Sequence, residues 1–132
     1  MAVFKDTATM EEIFGEIWGR LINEGGLGRK LKENSISVLY RVHEPEMVMY
    51  LDENGVLFGK EAEAKTPTVI QSMNGDIVHK FWLNKLNVPK ALALRQVKAK
   101  GPVTKLLQLM PLLKPAQAVY PEYCRKYNLP ME

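Results

Sequence analysis

The stretch "DIVHKFWLNKLNVPKALALRQVKAKG", Asp76 to Gly101, decides how the rest of the chain is read. Asp76 suits an N-cap, since a short carboxylate accepts from the open amides of a first helical turn. Ile77, Val78, Phe81 and Trp82 then share one apolar face. Pro89 fits the first turn of a second short helix, "PKALAL", where its missing amide costs nothing. "RQVKAKG" alternates Val97 and Ala99 against Gln96, Lys98 and Lys100, the period of a half-exposed strand. The stretch is also one-sided in charge: Lys85, Lys90, Arg95, Lys98 and Lys100 are basic, and no acidic residue occurs between Asp76 and Glu122.

Upstream, Met10, Ile13, Phe14, Ile17, Trp18, Leu21 and Ile22 form one stripe at helical spacing. Thr9 with Glu12 fits a capping box, and Gly25-Gly26 is a helix stop. "LGRKLKEN" adds a short helical turn. "SISVLYRV" puts Ile36, Val38, Tyr40 and Val42 on one face of a strand. "EMVMYLD" sets Met47, Met49 and Leu51 opposite Val48 and Tyr50, with Glu44-Pro45 as the connection. Asn54-Gly55 predicts a type I′ hairpin turn into "VLFGKE". "TPTVIQSM" reads as a fourth strand. Downstream of Pro102 the chain is helical to about Tyr127, broken near Pro111, Pro115 and Pro121. A meander segregated from helices predicts an α+β fold, one sheet covered by helices. No repeat or linker interrupts it, so one domain over residues 1–132 is expected.

Composition excludes several classes of function. Apolar and charged fractions of 46% and 25% are those of a globular protein. The net charge of +3 conceals an asymmetry: residues 1–75 hold 8 basic and 12 acidic side chains, residues 76–132 hold 10 and 3. A basic half suits phosphates or a lipid surface, or it faces the acidic half. Cys124 is the only cysteine, so no internal disulfide or cysteine zinc cage forms, and a cytoplasmic location is expected. His43 and His79 lack metal-ligand spacing, and no metal or cofactor is expected. "GGLG" (Gly25 to Gly28) follows a helix, where a phosphate loop follows a strand. No paired carboxylates or nucleophile–base pattern stands out, so no catalytic residue is named. Phe81, Trp82, Tyr120, Tyr123 and Tyr127 fall at helical spacing among Leu and Val, which argues against a nucleic-acid surface.

What remains is apolar excess. Seven of the eleven residues from Val103 to Leu113 are large and apolar. A helix apolar on most sides is buried, covers a partner, or lines a cavity. Seven methionines add adaptable side chains. "VTKLLQLMPLLK" is too short to span a bilayer.

The opening stretch resembles the sterol carrier protein type 2 family, small lipid-transfer domains. Leu86-Asn87, Pro89 to Ala91 and Lys98 to Gly101 carry the likeness. "VLFGKEAEAKTPTVIQSM" follows the family more loosely. The resemblance implies a five-stranded mixed sheet in order 3-2-1-4-5, helices packed on one face, and an apolar tunnel between them. It implies binding and transfer of a fatty acid, acyl-CoA, sterol-like or phospholipid ligand, without catalysis. By position the wall would include Phe81, Trp82, Leu86, Leu106, Leu109, Met110, Leu113, Val119 and Tyr123. Lys85, Lys90, Lys98, Lys100 and Lys105 would meet lipid head groups or an anionic membrane. The rival reading is an interaction module, in which the apolar C-terminal helices bury a partner or form a homodimer; monomer and homodimer both fit the lipid carrier.

Overall fold

The structure, a computed structural model, describes residues 3–24 and 26–131. Its elements run α1 (Thr7–Glu24), α2 (Leu27–Glu33), β1 (Val38–His43), β2 (Met47–Asp52), β3 (Gly55–Phe58), α3 (Lys60–Glu63), β4 (Val69–Asn74), α4 (Gly75–Trp82), α5 (Val88–Ala93), β5 (Val97–Lys100), α6 (Val103–Leu112) and α7 (Lys114–Lys126). The five strands form one sheet ordered β3-β2-β1-β4-β5. The β1–β4 pair is parallel and the other three are antiparallel, so the sheet is mixed, in the order the resemblance implied.

Alternation decides what each face carries. Val38, Tyr40 and Val42 of β1 and Met47, Met49 and Leu51 of β2 point into the main core with the stripe of α1. Leu39 and Tyr50 point the other way and pack on Ala62 of the four-residue α3. The larger helices lie on the first face, and only α3 sits on the reverse. Among the described residues no helix is long and apolar enough to cross a membrane.

Local chemistry differs from the expectation at several ends. The α1 cap is Asp6, whose carboxylate accepts from the Thr9 amide (2.8 Å) and hydroxyl (2.7 Å). A carboxylate one turn earlier thus displaces Thr9 from the capping position. Asn74, and not Asp76, caps α4, accepting from the Ile77 amide at 2.8 Å. Asp76 sits in the first turn and accepts from the Val3 amide instead. In the β2–β3 hairpin, Asp52 pairs with Gly55, so Glu53 and Asn54 form the loop. Of Asn54 and Gly55 only the glycine takes a positive φ (137°), which is not a type I′ turn. Gly25 lies outside the described residues, while Gly26 has the left-handed φ of 73° expected of a helix stop. The Glu44–Pro45 peptide is cis. Pro111 and Pro121 lie inside α6 and α7, and Pro115 opens α7; the break falls at Leu113.

Candidate functional site

The site is built by the Asp76–Gly101 stretch. Asn87 caps α5, its side chain accepting from the Lys90 amide at 3.1 Å, and Pro89 occupies the first turn. At six residues α5 is short, and only Ala91 of it is buried. Arg95 takes a φ of 60° to turn the chain into β5. At the far end Gly101 (φ 126°) lets the backbone pass Thr68: a Cβ there would sit 2.5 Å from the Thr68 carbonyl oxygen. The chain therefore returns tightly at β5 while α5 stands off the sheet.

Beneath α5 lies a cavity of about 410 Å³, within the roughly 300–1,000 Å³ of small-molecule sites. Its floor is Gln71 and Met73 of β4 with Val97 and Ala99 of β5. Its walls are Phe81 of α4, Leu86, Val88, Pro89 and Leu92 around α5, and Met110 of α6. Gln71 is the one polar side chain among them. Leu92 (42% exposed) is also a surface residue, so the cavity reaches the exterior beside α5.

A second chamber of about 20 Å³ shares Gln71, Met73 and Phe81 with the first and extends inward to Tyr40, Met49, Phe14 and Trp82. Tyr40 and Gln71 are direct neighbours across the parallel pair, and Gln71 faces Ala99 on its other side. The Tyr40 hydroxyl is buried with no hydrogen-bond partner among the described residues. Burial pushes its phenol well above the ordinary tyrosine range.

Of the wall residues named from the sequence, Phe81, Leu86 and Met110 line the large cavity, and Phe81 and Trp82 line the inner chamber. Leu109, Leu113 and Tyr123 are buried in the main core, with Val119 half-buried against it. The Leu106 side chain lies outside the described part of the structure. Gln71, Met73, Val88, Pro89, Leu92, Val97 and Ala99 complete the lining without having been named as wall. The signal for four of them was present: Gln71, Met73, Val97 and Ala99 are the inward phase of alternating strands.

The five lysines are dispersed, and none lines the cavity. Lys90 is exposed on α5. Lys98 and Lys100 pair with Ser72 and Ile70 on the reverse of the sheet. The Lys85 ammonium donates to the Met131 carbonyl, and that of Lys105 to the Asn34 carbonyl.

Other polar chemistry lies apart. His79 is buried, Nδ1 2.8 Å from the Tyr120 hydroxyl and Nε2 2.5 Å from the Pro130 carbonyl oxygen. The carbonyl can only accept, so Nε2 carries the proton and Nδ1 accepts from Tyr120. Burial holds the His79 pKa below its usual value, against the favourable pull of the Pro130 carbonyl. Cys124 is buried, and burial raises its thiol pKa. Among the described residues no three His, Cys, Asp or Glu side chains gather as metal ligands would.

No protein-family model and no curated protein matches the chain in sequence. Solved structures do match in shape. Sterol carrier protein 2 from Yarrowia lipolytica, in its apo form, superposes with a TM-score of 0.65 at 15% identity, covering 86% of this chain and 95% of that one. The sterol carrier protein domain 2 of Helicoverpa armigera gives 0.59 at 18% identity, over 76% and 80%. The palmitated SCP2L2 of Aedes aegypti gives 0.51 at 17% identity, over 83% and 91%. The chain has the sterol carrier protein 2 fold.

Proposed function

We propose that the chain, as one domain over residues 1–132, holds a lipid in the cavity beneath α5 and carries it through the cytoplasm. The observation that supports this reading is an apolar space of about 410 Å³, reaching the surface, on a sterol carrier protein 2 fold. The Aedes aegypti SCP2L2 of the same fold is palmitated, and a fatty-acyl chain, a sterol-like ring system or the tail of a phospholipid or acyl-CoA suits these walls. A methylene leaving water gains about 0.8 kcal/mol, so ten of them contribute roughly 8 kcal/mol before ordering costs. A bilayer offers a comparable gain, which keeps the exchange reversible.

In this reading Phe81, Leu86 and Met110 touch the ligand with Val88, Leu92, Val97 and Ala99. Trp82 closes the inner end. Leu109, Leu113, Val119 and Tyr123 hold α6 and α7 against the core. Lys90, beside exposed Leu92, meets an anionic membrane, where a lysine contributes roughly 1 kcal/mol. Binding in place of catalysis fits a lining whose one polar group is a neutral amide. The interaction-module reading is not favoured: Leu109, Leu113, Ala116, Tyr120 and Cys124, from the C-terminal helices, are buried in this chain's own core.

Organic extraction of freshly purified protein followed by mass spectrometry should recover a stoichiometric lipid. Ala99→Trp fills the cavity from its floor and should abolish recovery without changing the melting temperature. A folded Ala99→Trp protein carrying as much lipid as the wild type would remove the cavity from the mechanism.

A further inference from the structure

The lining of the two chambers is not uniformly apolar, and its two polar side chains, Tyr40 and Gln71, are neighbours in the strand register. Across the sheet run Phe58, Met49, Tyr40, Gln71 and Ala99, one residue from each strand, on the face beneath the helices. Tyr40 and Gln71 stand at the middle of that row, where the linings of the large cavity and the 20 Å³ chamber meet at Gln71. Tyr40 is 5% exposed and Gln71 9%. Buried hydroxyls in folded proteins almost always have a partner, yet that of Tyr40 has none among the described residues. Among the described residues, the other buried side-chain atom without a partner, Trp18 Nε1, belongs to neither lining.

We infer that Tyr40 and Gln71 form a recognition site for an uncharged oxygen, a hydroxyl or carbonyl, at the leading end of the ligand. The inference rests on the lipid-binding reading above and narrows its ligand class. Two observations set the chemistry. The inner chamber is the size of a single oxygen-bearing group, since one water needs roughly 10–15 Å³. No lysine, arginine or histidine lines either chamber, so a carboxylate or phosphate there would lose its hydration with no cation to answer it. An alcohol fits both partners: its oxygen accepts from the Tyr40 hydroxyl, and its proton goes to the Gln71 side-chain carbonyl. A ketone, ester or amide carbonyl accepts from Tyr40 or from the Gln71 amide nitrogen. The apolar remainder of the ligand then runs outward past Phe81 to Leu86 and Leu92.

The test uses full-length, delipidated protein titrated calorimetrically with dodecan-1-ol and with dodecanoate at pH 8, where the acid is ionised. The wild type should bind the alcohol more tightly. Tyr40→Phe and Gln71→Leu should each weaken dodecan-1-ol by roughly 3–10-fold and leave dodecanoate within about twofold. Ligand-free Tyr40→Phe should melt no lower than the wild type, because it removes a hydroxyl that has no partner. If both probes bind and the substitutions change neither, or weaken both alike, the polar site is overturned and lipid binding stands. Tighter binding of dodecanoate than of the alcohol also overturns it. If neither probe binds the wild type, the lipid-binding reading and this inference fall together.

Discussion

Over β2 and β3 the sheet is covered by α1, a helix of 18 residues; beside β5 it is covered by α5, a helix of six. Both regions present the same alternating inward side chains, yet one is filled and the other is hollow. The filled half is aromatic. Phe14 lies 6.1 Å from Trp82 and stacks on Tyr120 at 6.3 Å, and Trp18 meets Trp82 edge-on at 5.3 Å. In the hollow half, α5 buries Ala91 and leaves Leu92 and Leu94 42% and 59% exposed. An inward strand residue therefore becomes core or cavity wall according to the reach of the helix above it. The packed half is tied together by ring contacts among α1, α4 and α7, and the hollow half leaves inward residues of β4 and β5 facing open space.

The largest effect should come from emptying the filled half. Phe14→Ala removes a ring from the junction of α1, α4 and α7 and should cost about 3–5 kcal/mol in chemical denaturation. A loss below about 1 kcal/mol would mean that the two halves are packed alike.

His79 gives the next effect, and it depends on pH. Its pKa in the folded chain lies below that of the unfolded chain, so the unfolded chain takes up the proton first as pH falls. The contribution of this site is whole above about pH 6.5 and is lost as pH falls further. His79→Gln should cost about 1–3 kcal/mol at pH 8 through its broken hydrogen bonds. It should also flatten the decline in melting temperature between about pH 7 and 5. An unchanged slope between about pH 7 and 5 would remove His79 from that decline; Asp6, whose pKa is lowered by its bonds to Thr9, loses its contribution only below about pH 4.

The smallest effect belongs to the hollow half. Leu92→Ala should change stability by no more than about 0.5 kcal/mol, as for a partly exposed side chain with little packed against it. Its effect should fall instead on the affinity for a bound alkyl chain, read by the same titration. A large loss of stability would show that α5 is packed as firmly as α1.

Reading the sequence succeeded where a pattern is periodic and redundant. Val38, Tyr40 and Val42 against Leu39 and Arg41 could only be a two-faced strand, and the stripe of α1 could only be a helix. The order of the strands did not come from such patterns; it came with the family likeness carried by Leu86-Asn87, Pro89 to Ala91 and Lys98 to Gly101. Caps slipped because two candidates stood within one turn of each other, Asp6 with Thr9 and Asn74 with Asp76. Which of the two meets the open amide is decided by where the chain enters the helix, and that leaves no mark in the sequence. The cavity lining was harder still. Leu109 and Leu113 are as apolar as Leu86, and what separates core from wall is the standoff of α5, which depends on tertiary contacts. Gln71 was the overlooked cue: a polar residue in the inward phase of a strand.

The parallel pairing of β1 with β4 also orders the folding reaction. β1, β2 and β3 are joined by short connections, while β1 meets β4 only across the intervening hairpin and α3. Closing the longer loop costs more chain entropy, so the meander is expected to assemble before β4 docks. Tyr40 would then stand on the open edge of the meander until Gln71 arrives beside it. Substitutions at Val48 should then slow folding, and those at buried Val69 of β4 should chiefly hasten unfolding. The hollow region would be the last part of the molecule to exist and the first to open.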